Sequence, residues 1–287
     1  MVTDVCRDSI DDACAGAAAI DLDSLNTLAS LQARVDRKYI AGADVAAVLL
    51  DRLIADHDVA VLTIHGATSF EYRSNYFDTD DRVLLRLAAG ARRRRFKVRT
   101  RVYSGPLSCV LEIKLREDRG VTSKLRAAYE LDDALRLTDA GRQFVADATA
   151  HLPSLRNLAL SPSVATRYRR TTLLIGGEHP SRLTVDRRLE WASLGDSSAM
   201  RWSPVLDDMI IESKSAGSPT DADRLLWAAG VRPERVSKFG LASVLADPRL
   251  RSNRWHRILR AIETRRESTS SGIVESPRSA TQPPEDK

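Results

Sequence analysis

Arginine and lysine occupy every second position of one short segment, an arrangement that could bind a chain of phosphates. The segment RFKVRTRVY carries its cations at Arg95, Lys97, Arg99 and Arg101. In a β-strand this period places all four cations on one face. Guanidinium and ammonium groups donate charge-assisted hydrogen bonds to phosphate oxygens, and arginine adds a planar, bidentate geometry. The segment therefore predicts a strand whose charged face suits a polyanion.

Four further segments repeat the alternation, and three of them include an acid. Their charged positions are Glu112, Lys114 and Arg116; Arg167 and Arg169; Arg182, Asp186 and Arg188; and Glu212 and Lys214. Five strands of this kind predict a closed sheet with a cationic interior. The wet face of an ordinary antiparallel sheet would explain any one segment. Such a face usually mixes in Ser, Thr and Gln, whereas here arginine and lysine fill most of the polar positions.

Two roles are open to the acids of this interior, Asp36, Glu112, Asp186 and Glu212. Each could neutralise neighbouring cations, or it could hold Mg²⁺ or Mn²⁺ through its oxygen atoms. The three cysteines have no metal-ligand spacing, and no two of the five histidines lie four residues apart, so the sequence does not predict a zinc site.

The elements needed to position these residues are mostly strands. The sequence predicts strands at 33–40, 59–66, 70–79, 95–103, 108–116, 164–175 and 181–188 and around Glu212, with a flexible connection at 118–124. It predicts helices at 43–57, 138–151, 218–230 and 253–263. Many strands with few crossover helices indicate an α+β protein, an antiparallel β-barrel with helices packed outside.

Composition divides the chain into three parts. The whole chain has 287 residues, of which 43% are hydrophobic, which is sufficient to bury a core. Residues 1–28 are acidic and small and are predicted to be mobile, residues 30–263 form the ordered domain, and residues 267–287 are a disordered tail rich in Ser, Pro, Thr and Glu.

Eight blocks in order resemble the catalytic domain of vacuolar transporter chaperone (VTC) proteins, the polyphosphate polymerase domain. They are RVDRKYI, YRSNYFDT, FKVRTRVY, VLEIKLRED, ATRYRR, RLTVDRRL, IIESK and RVSKF. That domain belongs to the triphosphate tunnel metalloenzymes of the CYTH-like superfamily. The resemblance covers residues 33–242 and implies an antiparallel β-barrel tunnel that transfers phosphoryl groups with the help of a divalent metal.

The resemblance also implies roles for individual residues. The catalytic, phosphate-binding set would be Lys38, Arg99, Arg101, Lys114, Arg167 and Arg182. The residues that grip the phosphate chain would be Lys124, Arg235 and Lys238, and Glu212 would bind Mn²⁺ or Mg²⁺. Two positions depart from the family pattern, because Asp36 stands where the family commonly has Glu and Arg235 stands where Lys is expected.

Three functions remain open from the sequence. The first is synthesis of polyphosphate from ATP or another nucleoside triphosphate. The second is a triphosphatase of the same fold, in which water is the acceptor. The third is a binding module for polyphosphate or RNA, which the run Arg92–Arg95 supports. A net charge of +5 is modest for a nucleic-acid binder, so nucleic acid is the less favoured partner.

The sequence favours a cytoplasmic location. It contains no apolar stretch of about 18 residues that could span a bilayer. Acids rather than bases precede the apolar AGAAAI segment, which argues against a signal peptide. Three cysteines that cannot all pair indicate a reducing compartment. Peripheral attachment through a separate membrane protein is left open.

Overall fold

The computed structural model describes residues 9–29, 35–105, 107–116, 122–195 and 200–271, with side chains as far as residue 264. The chain separates into a unit that ends at Trp255 and a second unit that begins at His256. In the second unit the described residues form one helix, His256–Ser271.

The first unit is built on an eleven-stranded sheet. The strands are β1 Ala18–Ile20, β2 Val35–Ala41, β3 Val59–Leu62, β4 Ser69–Asp78, β5 Arg95–Tyr103, β6 Ser108–Arg116, β7 Thr122–Tyr129, β8 Ser161–Ile175, β9 Ser181–Ser193, β10 Ser203–Leu206 and β11 Met209–Ser215. Its helices are α1 Ser9–Ala13, α2 Leu22–Leu28, α3 Ala43–Asp56, α4 Val83–Ala89, α5 Asp139–Thr149, α6 Asp221–Ala228 and α7 Lys238–Ala246.

The sheet is almost entirely antiparallel, which confirms an α+β protein with a large antiparallel sheet. Its main path runs β2-β11-β9-β8-β4-β5-β6-β7, with β10 paired to β9 and the parallel pair β1-β3 joined to β8. No pairing joins β2 to β7 among the residues that the structure describes. The closed barrel expected from the sequence is therefore not seen in the strand pairing.

Alternation along the strands gives the sheet one apolar face. Leu49, Leu50 and Leu53 of α3 are buried in one cluster with Val185 of β9 and Ile211 of β11. These two strand residues are direct partners in the antiparallel register, so their side chains lie on the same face. The opposite face of the same strands carries the charged residues, as the period of two predicts.

Helix α7 was not predicted from the sequence. Ser237 caps it by accepting a hydrogen bond from the backbone N–H of Gly240. Residues from Phe239 to Val244 are all buried, so the helix has no polar face and no amphipathic period. The ring of Phe239 packs against Tyr76 of β4, with 5.1 Å between the ring centroids. This contact places the start of α7 on the charged side of the sheet.

The N-terminal segment is a correction to the prediction of mobility. Residues 9–28 form α1, β1 and α2, and Ile10 and Cys14 lie in the main core. Asp11 is stabilised by Arg187 Nη2 and by the Ser69 hydroxyl, each at 2.7 Å from Oδ1. Residues 1–8 and 272–287 lie outside the described residues, and the final helix continues to Ser271, beyond the predicted start of the tail.

The predicted flexible connection at 118–124 is also corrected. Its last residues begin strand β7, which pairs with β6 through the register Lys114↔Lys124 and Glu112↔Arg126, while 118–121 lie outside the described residues. The strands predicted at 95–103 and 108–116 are confirmed as β5 and β6, which pair directly. Thr138 caps α5 and Thr220 caps α6 through their side chains.

Over the described ranges, none of the helices combines the length and apolar character required to cross a bilayer.

Candidate functional site

The charged face of the sheet carries one continuous cluster, which we call the charged interior. Its members are Lys38, Lys97, Arg99, Arg101, Glu112, Lys114, Lys124, Arg126, Arg170, Asp186, Glu212, Lys214 and Lys238. The start of α7 joins two separated strands of this face, because Lys97 of β5 donates to Ser237 Oγ at 2.8 Å and Lys238 donates to Asp186 of β9. Strands β8 and β4 lie between these two strands, so the start of α7 bridges distant parts of the charged face.

Glu212 on β11 lies between two lysines. Lys38, its direct partner on β2, donates to Oε1 at 3.0 Å. Lys214 on the same strand lies 3.1 Å from Oε2. Burial alone would raise the pKa of the Glu212 carboxyl, but Lys214 and Lys38 outweigh it and hold that pKa well below its usual range. Glu212 is therefore ionised.

Glu112 on β6 is the most heavily neutralised acid. Arg99 Nε donates to Oε2 at 2.7 Å, and Arg126 Nε donates to Oε1 at 2.7 Å. Lys124 Nζ lies 2.8 Å from the same Oε1. Burial opposes ionisation, yet Arg99 and Arg101 lead the charges that lower the pKa of Glu112. This carboxylate positions the cations around it.

Asp186 on β9 is fully buried and holds two cations. Arg170 Nη2 donates to Oδ2 at 2.7 Å, and its Nε bonds the other oxygen, so the pair is bidentate. Lys238, the first residue of α7, also donates to Oδ2. The ammonium of Lys238 lies 4.4 Å from the centroid of the Tyr168 ring. Asp186 thus fixes the start of α7 to the sheet.

Two lysines of the interior form no ion pair with a described acid. Lys97 Nζ donates to the Ser237 hydroxyl at 2.8 Å and lies 5.5 Å from the centroid of the Phe239 ring. Burial, with repulsion from Lys114 and Lys38, lowers the pKa of Lys97 well below its usual value. Burial also lowers the pKa of Lys114. An anion bound in the interior would favour the charged form of both lysines and so raise both pKa values.

Tyrosines orient the two arginines of the R-x-R strand. Arg101 is buried and donates to Ser74 Oγ at 3.2 Å and to Tyr168 Oη at 3.0 Å. Arg99 Nη1 donates to Tyr76 Oη at 3.3 Å. Hydroxyl groups, which carry no charge, accept part of the hydrogen bonds of each guanidinium. The single charge of Glu112 cannot neutralise both arginines, so positive charge remains in the interior.

The structure brings most of the predicted site residues together. Those in the charged interior are Lys38, Arg99, Arg101, Lys114, Lys124, Glu212 and Lys238. Arg182 lies opposite Lys214 in the register, and its guanidinium donates to the carbonyl of Leu25 at 3.1 Å and to Asn26 Oδ1 at 3.2 Å. It therefore shares the charged face but is directed towards the N-terminal segment.

Arg167 is placed elsewhere, on the opposite face. It pairs with Glu190 and lies 4.6 Å from the centroid of the Trp202 ring. Arg170 is the β8 arginine within the interior, and the sequence analysis does not name it. The block ATRYRR has arginine at both parities, so alternation alone could not choose between them.

Arg235 and Lys238 do not share a helical turn. Helix α7 begins at Lys238, and Arg235 lies exposed in the loop before it. That loop is tied to β2 because the N–H of Glu234 donates to the carbonyl of Lys38 at 2.7 Å. Arg126 was missed for a different reason, since strand β7 was not predicted and its first three residues fell within the flexible connection expected at 118–124.

Residues 33–245 match the VTC domain. The chain belongs to the VTC family. A comparison with curated protein sequences gives no match.

Solved structures similar to this VTC domain share little sequence with it. The PH1819 protein from Pyrococcus horikoshii OT3 is 13% identical with a TM-score of 0.39, covering 72% of this chain and 97% of that one. A putative adenylate cyclase from Vibrio parahaemolyticus is 14% identical with a TM-score of 0.39, covering 74% and 98%. A putative adenylyl cyclase from Hippeastrum, described as having a dominant triphosphatase activity, is 14% identical with a TM-score of 0.37, covering 72% and 94%.

Proposed function

We propose that the charged interior binds a chain of phosphates and transfers the terminal phosphoryl group of ATP, or of another nucleoside triphosphate, to a growing polyphosphate. The observation that carries this proposal is the excess of cations over acids in the charged interior, where Lys97 is half-buried and Lys114 is exposed. Lys97 and Lys114 have no acid partner among the described residues, and burial lowers the pKa of each. A chain of phosphates supplies the missing negative charge along the whole interior.

The reaction is a displacement at phosphorus. A terminal oxygen of the polyphosphate attacks the γ-phosphorus of ATP, the bond from that phosphorus to the β,γ-bridging oxygen breaks, and ADP leaves. Charge in such a transition state spreads over the equatorial oxygens of the transferred group. Arg99, Arg101 and Arg170 are preorganised by hydrogen bonds, so they can stabilise that charge without reorganising.

The oxygen ligands of the interior fit a divalent metal that takes most of its ligands from the phosphates of the substrate. Among the described residues no group of three metal-ligating side chains is present. Mg²⁺ is often held by one or two carboxylates together with phosphate oxygens. Glu212 is the ionised carboxylate that the VTC resemblance assigns to the metal, and it can serve as that single protein ligand. When bound, Mn²⁺ or Mg²⁺ would neutralise phosphate charge as a Lewis acid.

The remaining basic residues would divide between the two substrates, the nucleotide and the polyphosphate chain. Lys38 lies beside Glu212 and would orient the nucleotide phosphates. Lys124, Arg235 and Lys238 would grip the chain, as the family resemblance implies. A separate membrane protein would be the partner for translocation of the product.

A double change, Arg235→Ala with Lys238→Ala, separates the candidate functions. A polymerase should then make shorter chains or none while retaining residual ATP hydrolysis. A triphosphatase should hydrolyse triphosphate at nearly the parental rate, with no chains from either protein, and a binding module should lose polyphosphate affinity with no turnover in either. Chain length, released phosphate and polyphosphate affinity are measured on both proteins. Either of the last two patterns overturns the proposal.

A further inference from the structure

Four arginines lie at the end of the charged interior where β5 begins and β6 ends. Arg95 is the first residue of β5 and stands directly opposite Arg116, the last residue of β6. Arg254 is close enough to Arg116 and to Arg235, the exposed arginine of the loop before α7, for burial and then these charges to lower its pKa. We call this group the arginine rim. The VTC resemblance assigns a role to Arg235 but none to the other three.

The arginine rim is electrostatically unfavourable as it stands. Like charges directly opposite each other across two strands are destabilising. Burial and repulsion from Arg116 and Arg254 lower the pKa of Arg95, and burial and repulsion from Arg235 and Arg116 lower that of Arg254. Among the described residues, no acid acts to raise either pKa. The acids of the interior, by contrast, each hold at least two cations.

The rim continues the cationic row of the interior. Arg95, Lys97 and Arg99 share one face of β5, and Arg116 follows Lys114 on the facing strand. Two residues of an antiparallel strand advance about 6.8 Å, so the row offers a cation at each such step. A short anion held around Lys97 and Arg99 would end before the rim. A longer linear polyanion would continue onto it.

We propose that Arg95, Arg116 and Arg254 bind the part of a polyphosphate chain that extends beyond the charged interior. This inference rests on the proposed function, because it takes polyphosphate to be the ligand of the interior. Holding the extending chain slows its dissociation and so lengthens the product. The ligand class is a linear polyanion longer than the triphosphate.

The test compares two triple variants that lose the same charge. The rim variant carries Arg95→Gln, Arg116→Gln and Arg254→Gln. The control carries Arg52→Gln, Arg142→Gln and Arg156→Gln, three exposed arginines outside the rim. Affinities for long-chain polyphosphate and for tripolyphosphate are measured at one fixed salt concentration, since salt weakens all such binding. The rim variant should lose about tenfold or more in affinity for the long chain and keep its affinity for tripolyphosphate.

Several outcomes would overturn the proposal that the arginine rim binds polyphosphate. One is an equal loss for both ligands, and another is a long-chain affinity that matches the control. A third is a parent that binds single-stranded RNA as tightly as polyphosphate and loses both in the rim variant. If the triple variant melts early, Arg254→Gln alone, outside the sheet, must show the same length-selective loss.

Product analysis separates this inference from the proposed function. In the parent, chains should be longer than in the rim variant. If the parent and the rim variant make chains of the same length, chain binding by the rim is contradicted and polyphosphate synthesis is supported. If the parent makes no chains but binds long polyphosphate through the rim, polyphosphate synthesis is contradicted and chain binding by the rim is supported.

Discussion

At the scale of single residues, three carboxylates of the charged interior already serve a structural purpose. Glu112 forms ion pairs with Arg99, Lys124 and Arg126. Asp186 and Glu212 each form ion pairs with two cations. Neutralising any of these acids leaves buried cations without a partner, which is costly in a site of low polarity. Effects on activity must therefore be read against effects on stability, and residues of the same type on the opposite face supply the controls.

Arg99→Ala is expected to lower turnover on the order of 10²-fold, the scale of losing one preorganised charge-stabilising donor. Arg101→Ala should behave in the same way, since both guanidiniums project into the interior. Arg167→Ala is the matched control, because Arg167 pairs with Glu190 on the other face and should change turnover little. Steady-state rates with ATP are compared for the three variants. Equal damage from all three would indicate a general basic patch instead of a site.

Glu212→Gln is expected to remove most of the metal-dependent activity, because the amide keeps the volume but loses the charge that a hard divalent cation requires. Glu190→Gln is its control, since that acid pairs with Arg167 outside the interior. Rates are measured across a metal titration, with melting temperature alongside. Normal turnover of Glu212→Gln at low metal would show that Glu212 only neutralises Lys38 and Lys214.

Binding of tripolyphosphate is expected to take up protons in mildly alkaline solution. Burial lowers the pKa of Lys214 to about 8 and lowers that of Lys97 well below its usual value. A bound anion favours the charged ammonium and raises both pKa values, so lysines that are neutral in the free protein gain protons on binding. Affinity should fall as the pH rises through 8.

Calorimetry near pH ~8.5, in buffers of different ionisation enthalpy, measures this proton uptake. Lys214→Met should reduce it, because the variant lacks the ammonium that gains a proton. Arg52→Met removes a cation at an exposed position of α3 and serves as the control. Zero uptake in the parent, or uptake unchanged in Lys214→Met, would contradict the assignment.

At the scale of elements, α7 joins the core to the site. Its first residue, Lys238, holds Asp186, its second, Phe239, covers Tyr76, and its third, Gly240, packs against Trp255. A side chain at position 240 has no room, because an added Cβ would lie 2.6 Å from Cε2 of the buried Trp255 ring. The helix can dock only because this position is glycine.

Gly240→Ala is therefore expected to destabilise the fold by about 1–3 kcal/mol, the usual cost of overpacking a core. Gly195→Ala is the control, since a Cβ there would meet no atom of the described residues nearer than Ser193 Oγ at 3.8 Å. Thermal melting or denaturant unfolding gives the comparison. If Gly240→Ala is as stable as the parent, α7 does not pack as tightly against Trp255 as the structure shows.

The sequence predicts elements well where the polar and apolar residues alternate cleanly. Strands β5 and β6 follow from this alternation, and their bounds are the predicted ones. Helix α7 could not be predicted, because a helix buried on all sides has no amphipathic period. The acids of residues 9–28 suggest mobility, yet Asp11 finds Arg187 and Ser69 through long-range contacts that no local pattern reveals.

The site residues divide in the same way, into those that a local pattern predicts and those that it does not. Arg99, Lys114 and Glu212 follow from strand alternation and the family resemblance, and the structure places all three in the interior. Arg170 could not be separated from Arg167 by pattern alone, because adjacent arginines occupy both faces of β8. Arg126 depended on recognising β7, whose short polar beginning resembles a connection.

At the scale of the whole molecule, one sheet separates two environments. Helices α1, α3 and α6 pack in the core on its apolar face, and the charged interior lies on the other. The strands at the two ends of the sheet path are not paired among the described residues, and the start of α7 contacts both β5 and β9, through Lys97 and Asp186. The charged face concentrates cations where a linear polyanion can lie.

The most direct test of polyphosphate synthesis incubates the 287-residue protein with γ-labelled ATP and Mn²⁺ or Mg²⁺ and follows the label. The products are resolved into polyphosphate chains, free phosphate and unreacted nucleotide. We predict that label enters chains that lengthen with time and that chain formation requires the metal. Label recovered only as free phosphate, or only as unreacted ATP at every metal concentration, would contradict the account.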